Sequence, residues 1–310
     1  MRIGVSLPNV GLGNDKAGLL QVATSAERLG FDSVWAAHHV LMPYQRSSQY
    51  PYQRSGTEMA MTPGIQWLDP LITLSMVGGV TDRIGLGTSV FVLPYRDPVT
   101  LAAELAALDV LSAGRLILGI GVGWMREEFE AIGVSSRERG ARTDEHVQVM
   151  KTLWRDDPAS FQGDFTRFDG IVLATRPHRE GGPPVWVGGN TDAALRRALR
   201  FGDGWHGFEV FPEELPDLRQ RLETLGDEVG RDPAELELSV ARGLIPAGHE
   251  QESFIPDRRM LGPSSEAIVE ELGQYAEQGV ELVLIQISLL APQVPDALEW
   301  VAAEVLPQLT

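Results

Sequence analysis

The feature that most constrains this chain is an alternation repeated eight times. Short β-rich runs at residues 2–7, 33–36, 84–92, 116–121, 184–187, 203–206, 236–241 and 281–287 alternate with stretches whose apolar residues recur at helical spacing. Parallel strands need a helix-length crossover between them, so this order predicts an α/β fold with a parallel sheet. Eight such units fit a closed (β/α)8, or TIM, barrel better than an open sheet wound in two lobes. The 310 residues are ordinary for a barrel carrying insertions, and 43% apolar content suffices for its core.

Local signals place the helices. Leu19, Val22, Ala23 and Ala26 share one face of a helix expected to open near Asp15 and stop at Gly30. Asp97-Pro98 combines an N-capping acid with proline at the first helical position; Leu101, Leu105 and Leu108 continue that helix toward Gly114. Further helices are expected from Asp69 and over 126–131, 144–154, 190–200, 215–229, 265–278 and 296–306. Insertions are expected after strands two, four and seven: an aromatic stretch at 41–67, extra helices with a small β element at 161–173, and a connection at 245–262. No linker or strong internal repeat divides the chain, so residues 1–310 are expected to form one domain.

Charge and composition exclude several functions. A net charge of −17 and a pI near 4.8 leave no basic stripe for nucleic acid and favour a small-molecule substrate. No apolar run approaches a membrane span, and the N-terminus lacks the pattern of a signal peptide. The absence of cysteine excludes disulfides and thiolate chemistry and suits a cytoplasmic enzyme. Only two of 26 basic residues are lysines, Lys16 and Lys151, and both fall in helical stretches. A Schiff-base enzyme needs a lysine at a strand end, and none is available. The histidines form no metal-binding pattern, so no metal site is expected.

Barrel enzymes work at the C-terminal ends of their strands. There the sequence places His38-His39 after strand two, Gly87-Thr88-Ser89-Val90 on strand three and the run from Gly119 to Trp124, including Gly121 and Gly123, after strand four. Gly188-Gly189-Asn190-Thr191 follows strand five. Alternation should send His38 and His39 to opposite sides, one of them into the cavity. Gly188 and Gly189 followed by a helix start suit a phosphate, or else form a tight capped turn. The insertion at 41–67 holds Tyr44, Tyr50, Tyr52, Arg46 and Arg54; it forms a lid over the substrate, or else an oligomer contact or a plain surface loop.

Several segments in order along nearly the whole chain resemble luciferase-like monooxygenases. They are Ile3-Gly4-Val5-Ser6-Leu7-Pro8, Gly30-Phe31-Asp32-Ser33-Val34-Trp35 leading to His39, Thr81-Asp82-Arg83-Ile84-Gly85-Leu86-Gly87-Thr88, Asp109-Val110-Leu111-Ser112-Ala113-Gly114-Arg115, Gly119-Ile120-Gly121-Val122-Gly123-Trp124, Arg139-Gly140-Ala141-Arg142-Thr143-Asp144-Glu145 and Pro184-Val185-Trp186-Val187-Gly188-Gly189. The tyrosine-rich insertion through Trp67-Leu68-Asp69-Pro70-Leu71 is similar to the deazaflavin (coenzyme F-420) oxidoreductase branch. The resemblance implies a flavin or deazaflavin lying across the strand ends. It implies a non-proline cis peptide at Ser89-Val90 under the ring, His39 beside it, and Gly188, Gly189 and Asn190 at the phosphate end. Gly121, Gly123 and Trp124 belong to the same expected cofactor surface, and dimers are usual in the family. Two positions depart from the pattern. Trp124 stands where the sugar-phosphate dehydrogenase branch has an acid, which argues against such a substrate, and His38 stands where aspartate is common.

The resulting expectation is hydride transfer to or from an apolar substrate with coenzyme F-420, His39 being the catalytic residue that assists proton transfer or polarises the substrate. The alternatives are an FMN-dependent two-component monooxygenase and a non-catalytic flavin-binding protein. A barrel glycosidase would need carboxylates at strand ends; strand seven ends in Arg242-Gly243, and Glu127 and Glu128 fall within a helix.

Overall fold

The computed structural model describes residues 1–11, 15–52, 64–246, 259–262, 264–287 and 293–309. Eight parallel strands close on themselves: β1 (Arg2–Ser6), β2 (Ser33–Ala36), β3 (Gly85–Thr88), β4 (Leu116–Gly121), β5 (Val185–Gly188), β6 (Gly204–Phe208), β7 (Glu237–Leu244) and β8 (Leu282–Ile287). Pairing runs in chain order, β4 joins β5 through Leu118 and Val185, and β8 returns to β1 through Leu282 and Arg2. The chain is therefore a (β/α)8 barrel.

Helices α1 (Lys16–Leu29), α2 (Pro70–Gly78), α3 (Pro98–Leu111), α4 (Arg126–Ala131), α5 (Arg139–Arg155), α6 (Asp192–Phe201), α7 (Leu215–Val229), α8 (Ser265–Glu277) and α9 (Val294–Glu304) lie between or after the strands. Their starts follow local chemistry. Asp15 accepts a hydrogen bond from the Gly18 amide, and Asp97 accepts one from that of Thr100 with Pro98 at the first position. Asp69 likewise caps α2, and Gly30 ends α1 in the left-handed conformation at φ 87°.

Three expected boundaries shift. The run 84–92 is not one strand: β3 ends at Thr88, and Phe91–Val92 pairs separately with Ile120 and Gly121. Between them the Ser89-Val90 peptide is cis. Helix α5 begins at Arg139, well before 144, because its buried face includes the polar Thr143, Glu145 and His146, which hide its periodicity. Strand β7 continues past 241, since Gly243 and Leu244 still pair with Gln286 and Ile287.

After β2 the chain forms a two-residue ribbon, Gln66–Trp67 against Val10–Gly11. After β4 come α4, α5 and a hairpin of Ala159–Gln162 with Arg167–Ile171. Most of the expected insertion after strand seven, with His249, and Arg54 of the aromatic stretch lie outside the described residues.

The barrel interior is a packed layer, not a pore. Trp35, Ile117, Trp186, Ala241, Leu282 and Leu284 fill it, with the Trp35 and Trp186 rings 5.5 Å apart. Opposite Trp35 the wall must be small: a Cβ on Gly4 would sit 2.6 Å from the indole nitrogen. The remaining core lies between strands and helices.

Candidate active site

The C-terminal ends of the strands, past the tryptophan layer, make up the mouth of the barrel, and His39 follows the end of β2 there. The histidine pair follows β2 directly. Asn9, buried at 1% exposure, fixes its entry: its amide nitrogen donates to Ala37 O (2.8 Å) and Leu68 O (2.9 Å), and its oxygen accepts from the Ala37 amide. The two imidazoles then diverge as alternation predicts. His39 lies edge-on to Trp67 (4.5 Å) and Trp124 (5.9 Å). His38 stacks on Phe91 at 4.4 Å, and its Nδ1 accepts the Val92 amide at 3.1 Å. Burial lowers the His38 pKa to about 4, so at neutral pH its ring is uncharged.

The residue that completes His39 is Glu128 of α4, 89 positions away. Its Oε2 lies 2.6 Å from His39 Nδ1 and accepts from the Tyr95 hydroxyl at 2.9 Å. Its Oε1 accepts the amides of Val40 (2.7 Å) and Leu41 (3.2 Å). The carboxyl is fully buried. Burial by itself pushes its pKa up, but the His39 hydrogen bond and charge and the two amides outweigh that and hold it below its ordinary range. Glu128 is therefore an ionised acceptor. An ionised carboxylate can only accept, so His39 Nδ1 carries a proton, and Nε2 has no partner among the described residues. The sequence reading passed over Glu128 as an ordinary helix residue. The Arg-Glu-Glu-Phe stretch after the strand-four glycines was the available signal, but only the fold brings it beside His39.

Neighbouring Glu127 ties the insertion after β2 to α4. Its Oε1 accepts the Ser47 amide and hydroxyl, both at 2.7 Å, and the Ser48 amide at 3.1 Å. Burial opposes its ionisation, yet these donors prevail and bring its pKa down to about 2. The tethered segment covers the mouth with rings: Tyr50 edge-on to Trp124 at 5.3 Å, and Tyr52 on Phe208 at 5.0 Å. Arg46 lies over the Trp124 ring at 5.4 Å. Tyr44 points away, 92% exposed.

The floor of the mouth is the Ser89-Val90 step. The Ser89 amide donates to Ala36 O at 2.9 Å, and its hydroxyl meets His206 Nε2 at 2.9 Å. The Val90 methyls sit between two glycines. A Cβ on Gly121 would lie 2.7 Å from Cγ2 of Val90, and one on Gly188 would lie 2.7 Å from Cγ1. These glycines therefore make room for Val90: at Gly188 the close approach expected of a ligand is made by this side chain, and at Gly121 the small residue serves close packing. Gly123, at φ 78°, turns the chain over Val92 and Phe129. Gly189, at φ 119°, starts the turn into α6, beneath the Tyr52 hydroxyl.

Asn190 follows that turn, but its side chain is committed to backbone. Its Nδ2 donates to Phe208 O at 2.7 Å, and its Oδ1 accepts the Phe208 amide at 3.2 Å. Thr191 caps α6, while Arg221 bridges Asn190 O (2.9 Å) and the Asp192 carboxylate (2.7 Å). The structure thus gathers His39, Ser89, Val90, Gly121, Trp124, Gly188 and Gly189 around one mouth. Gly123 and the Asn190 side chain serve its walls. Among the described residues no group of three or more metal-ligating side chains occurs, and no helix is long and apolar enough to cross a membrane.

The luciferase-like monooxygenase model matches residues 1–281. The F420-dependent glucose-6-phosphate dehydrogenase of Kineococcus radiotolerans is 31% identical over 239 residues, covering 74% of this chain and 65% of that enzyme. An F420-dependent secondary alcohol dehydrogenase, solved with an F420-acetone adduct, superposes with a TM-score of 0.78 at 19% identity, covering 100% of this chain and 99% of that one. The FMN-bound oxygenating component of Pseudomonas putida 3,6-diketocamphane monooxygenase gives 0.73 at 16% identity, again over 100% and 99%. The fold is common to both cofactor types. With its family model spanning most of the sequence and its barrel shared with these structures, the chain belongs to the luciferase-like monooxygenase family.

Proposed function

We propose that the protein is an oxidoreductase that uses coenzyme F-420 to move a hydride to or from an apolar alcohol, carbonyl or unsaturated substrate. The observation that carries this reading is the His39–Glu128 pair at the mouth of the barrel, oriented so that one imidazole nitrogen stays open. The deazaflavin supplies the hydride chemistry when bound. The residues present suit a planar ring: an apolar ledge at Val90 anchored through Ser89, an aromatic wall at Trp124, and Gly121 and Gly123 shaping the side. Gly188, Gly189 and the backbone at Asn190 lead to the α6 N-terminus, where exposed amides and Arg221 suit the phosphate end. His39 Nε2 gives or takes the substrate proton as charge develops, while Glu128 holds the ring and stabilises its cationic form. Tyr50, Tyr52 and Trp124 limit water and favour an apolar substrate.

The same reading treats residues 1–310 as one functional domain in a cytoplasmic homodimer. Support for the dimer comes from α2 and α3, which pack side by side and expose apolar residues: Ile72 is 73% exposed and Leu111 78%. Such surface on a soluble acidic chain suits burial against a second copy. The alternative is FMN-dependent oxygenation, and fluorescence titration with both cofactors tests the choice. Tighter binding of F-420 with hydride transfer to a panel of alcohols and ketones is expected. Preference for FMN, or binding without turnover, would reverse the reading.

A further inference from the structure

Beneath the ledge lies a second histidine that the proposed chemistry does not use. His206, on β6 inside the barrel, is 2% exposed and stacks on Trp35 at 5.2 Å with the rings nearly parallel. Its Nδ1 lies 2.8 Å from Ser239 Oγ, and its Nε2 lies 2.9 Å from Ser89 Oγ. Ser239 has one hydroxyl proton and donates it to Trp205 O at 3.1 Å. It must therefore accept from His206, so Nδ1 carries the ring proton. Burial lowers the His206 pKa to about 4, which keeps the ring neutral, and Nε2 is then an acceptor. It follows that the Ser89 hydroxyl points its proton down into the barrel. The chain of hydrogen bonds runs one way: Ser89 to His206 to Ser239 to the Trp205 carbonyl.

We infer that His206 is a positioning residue, which locks Ser89 from below and so sets the height and tilt of the Ser89-Val90 ledge that receives the cofactor ring. The inference rests on the cofactor reading above. Ser89 is otherwise held by its amide on Ala36 O, and Val90 by its fit between Gly121 and Gly188. The His206 bond is a side-chain tie to the step itself, and it comes from a strand on the far side of the barrel wall. Because Ser89 spends its proton on His206, its oxygen presents only acceptor capacity to the mouth.

The test compares His206→Phe, which keeps a ring against Trp35 but has no ring nitrogen, Ser89→Ala, and the double variant, by fluorescence titration with coenzyme F-420 and with FMN. Each single change is expected to weaken F-420 binding about five- to tenfold, as loss of roughly one hydrogen bond of orientation implies. The double variant should be no weaker than the worse single one, because both remove the same bond. His206→Gln, which keeps an amide donor and acceptor, should recover part of the loss. Melting temperatures measured alongside separate this pattern from general loosening. Single variants that bind like wild type, or losses that multiply in the double variant, would overturn the role of His206. Wild type that binds neither cofactor would overturn the reading of the site instead. Independently of any cofactor, nitrogen-15 NMR of wild type should show the Nδ1–H tautomer for His206; the Nε2–H tautomer would refute the direction of the chain.

Discussion

Replacing Glu128 with alanine tests the site at its most committed atom. The carboxylate is fully buried and accepts from His39, Tyr95 and the Val40 and Leu41 amides. Its removal strands these donors, and breaking a buried charged pair from one side typically costs about 3–5 kcal/mol. For a chain of 310 residues, an unfolding entropy of about 2.1 cal/mol/K per residue sums to roughly 0.65 kcal/mol/K. The melting temperature should therefore fall by about 5–8 °C. Glu128→Gln keeps the shape but loses the charge and should cost less. Its difference from wild type should also depend on pH with a defined sign. The Glu128 pKa is lowered from an ordinary value of 4.5, so the stabilisation is fully present above that value and is lost as pH falls through the depressed one. Melting curves from pH 7 to pH 3, by circular dichroism, should show the two proteins converging below about pH 4.5. In activity, Glu128→Gln should lower kcat with KM little changed, because the imidazole loses its fixed tautomer. A gap in melting temperature that stays constant to pH 3, or an alanine variant as stable as wild type, would refute the account of Glu128 as an ionised anchor.

Other substitutions separate the remaining parts. His39→Ala should lower kcat at least about tenfold with the fold intact. His38→Ala should act mainly on melting temperature, since its Nδ1 holds the Val92 amide; equal kinetic effects from both would contradict the opposed orientations. Gly188→Ala should destabilise by about 1–3 kcal/mol and weaken cofactor binding, because the new methyl meets Val90; unchanged binding would remove Val90 from the ledge. Leu111→Asp should shift the protein toward monomer in sedimentation if α2 and α3 form the dimer face, and an unchanged oligomer would place the interface elsewhere.

Much of the barrel was legible because local physics is written in local residues. The caps at Asp15, Asp69 and Asp97 and the stop at Gly30 act within one helical turn, so spacing alone located them. His38 and His39 also diverge as strand alternation requires. The break in strand three at Ser89-Val90 was legible only through family resemblance. Its composition is that of an ordinary strand, and nothing local shows that Val90 fits between Gly121 and Gly188. The polar face of α5 concealed its first turn for a similar reason, since burial of Thr143 and His146 depends on neighbours remote in sequence.

By itself, then, the sequence determined the order of strands and helices and the placement of His38 and His39 at the strand end where a site is expected. These follow from periodicity, capping and chain direction, whereas the choice of His39 over His38 came from the family resemblance. Only the tertiary structure decided the partners. Glu128 reaches His39 across 89 residues, His206 reaches Ser89 across 117, and Asn190 spends its amide on Phe208. Barrel closure brings those strand ends to one mouth, and a carboxylate or imidazole acquires its role from the donors it meets there. Sequence spacing carries no record of such meetings, because the distance that matters is across the barrel and not along the chain.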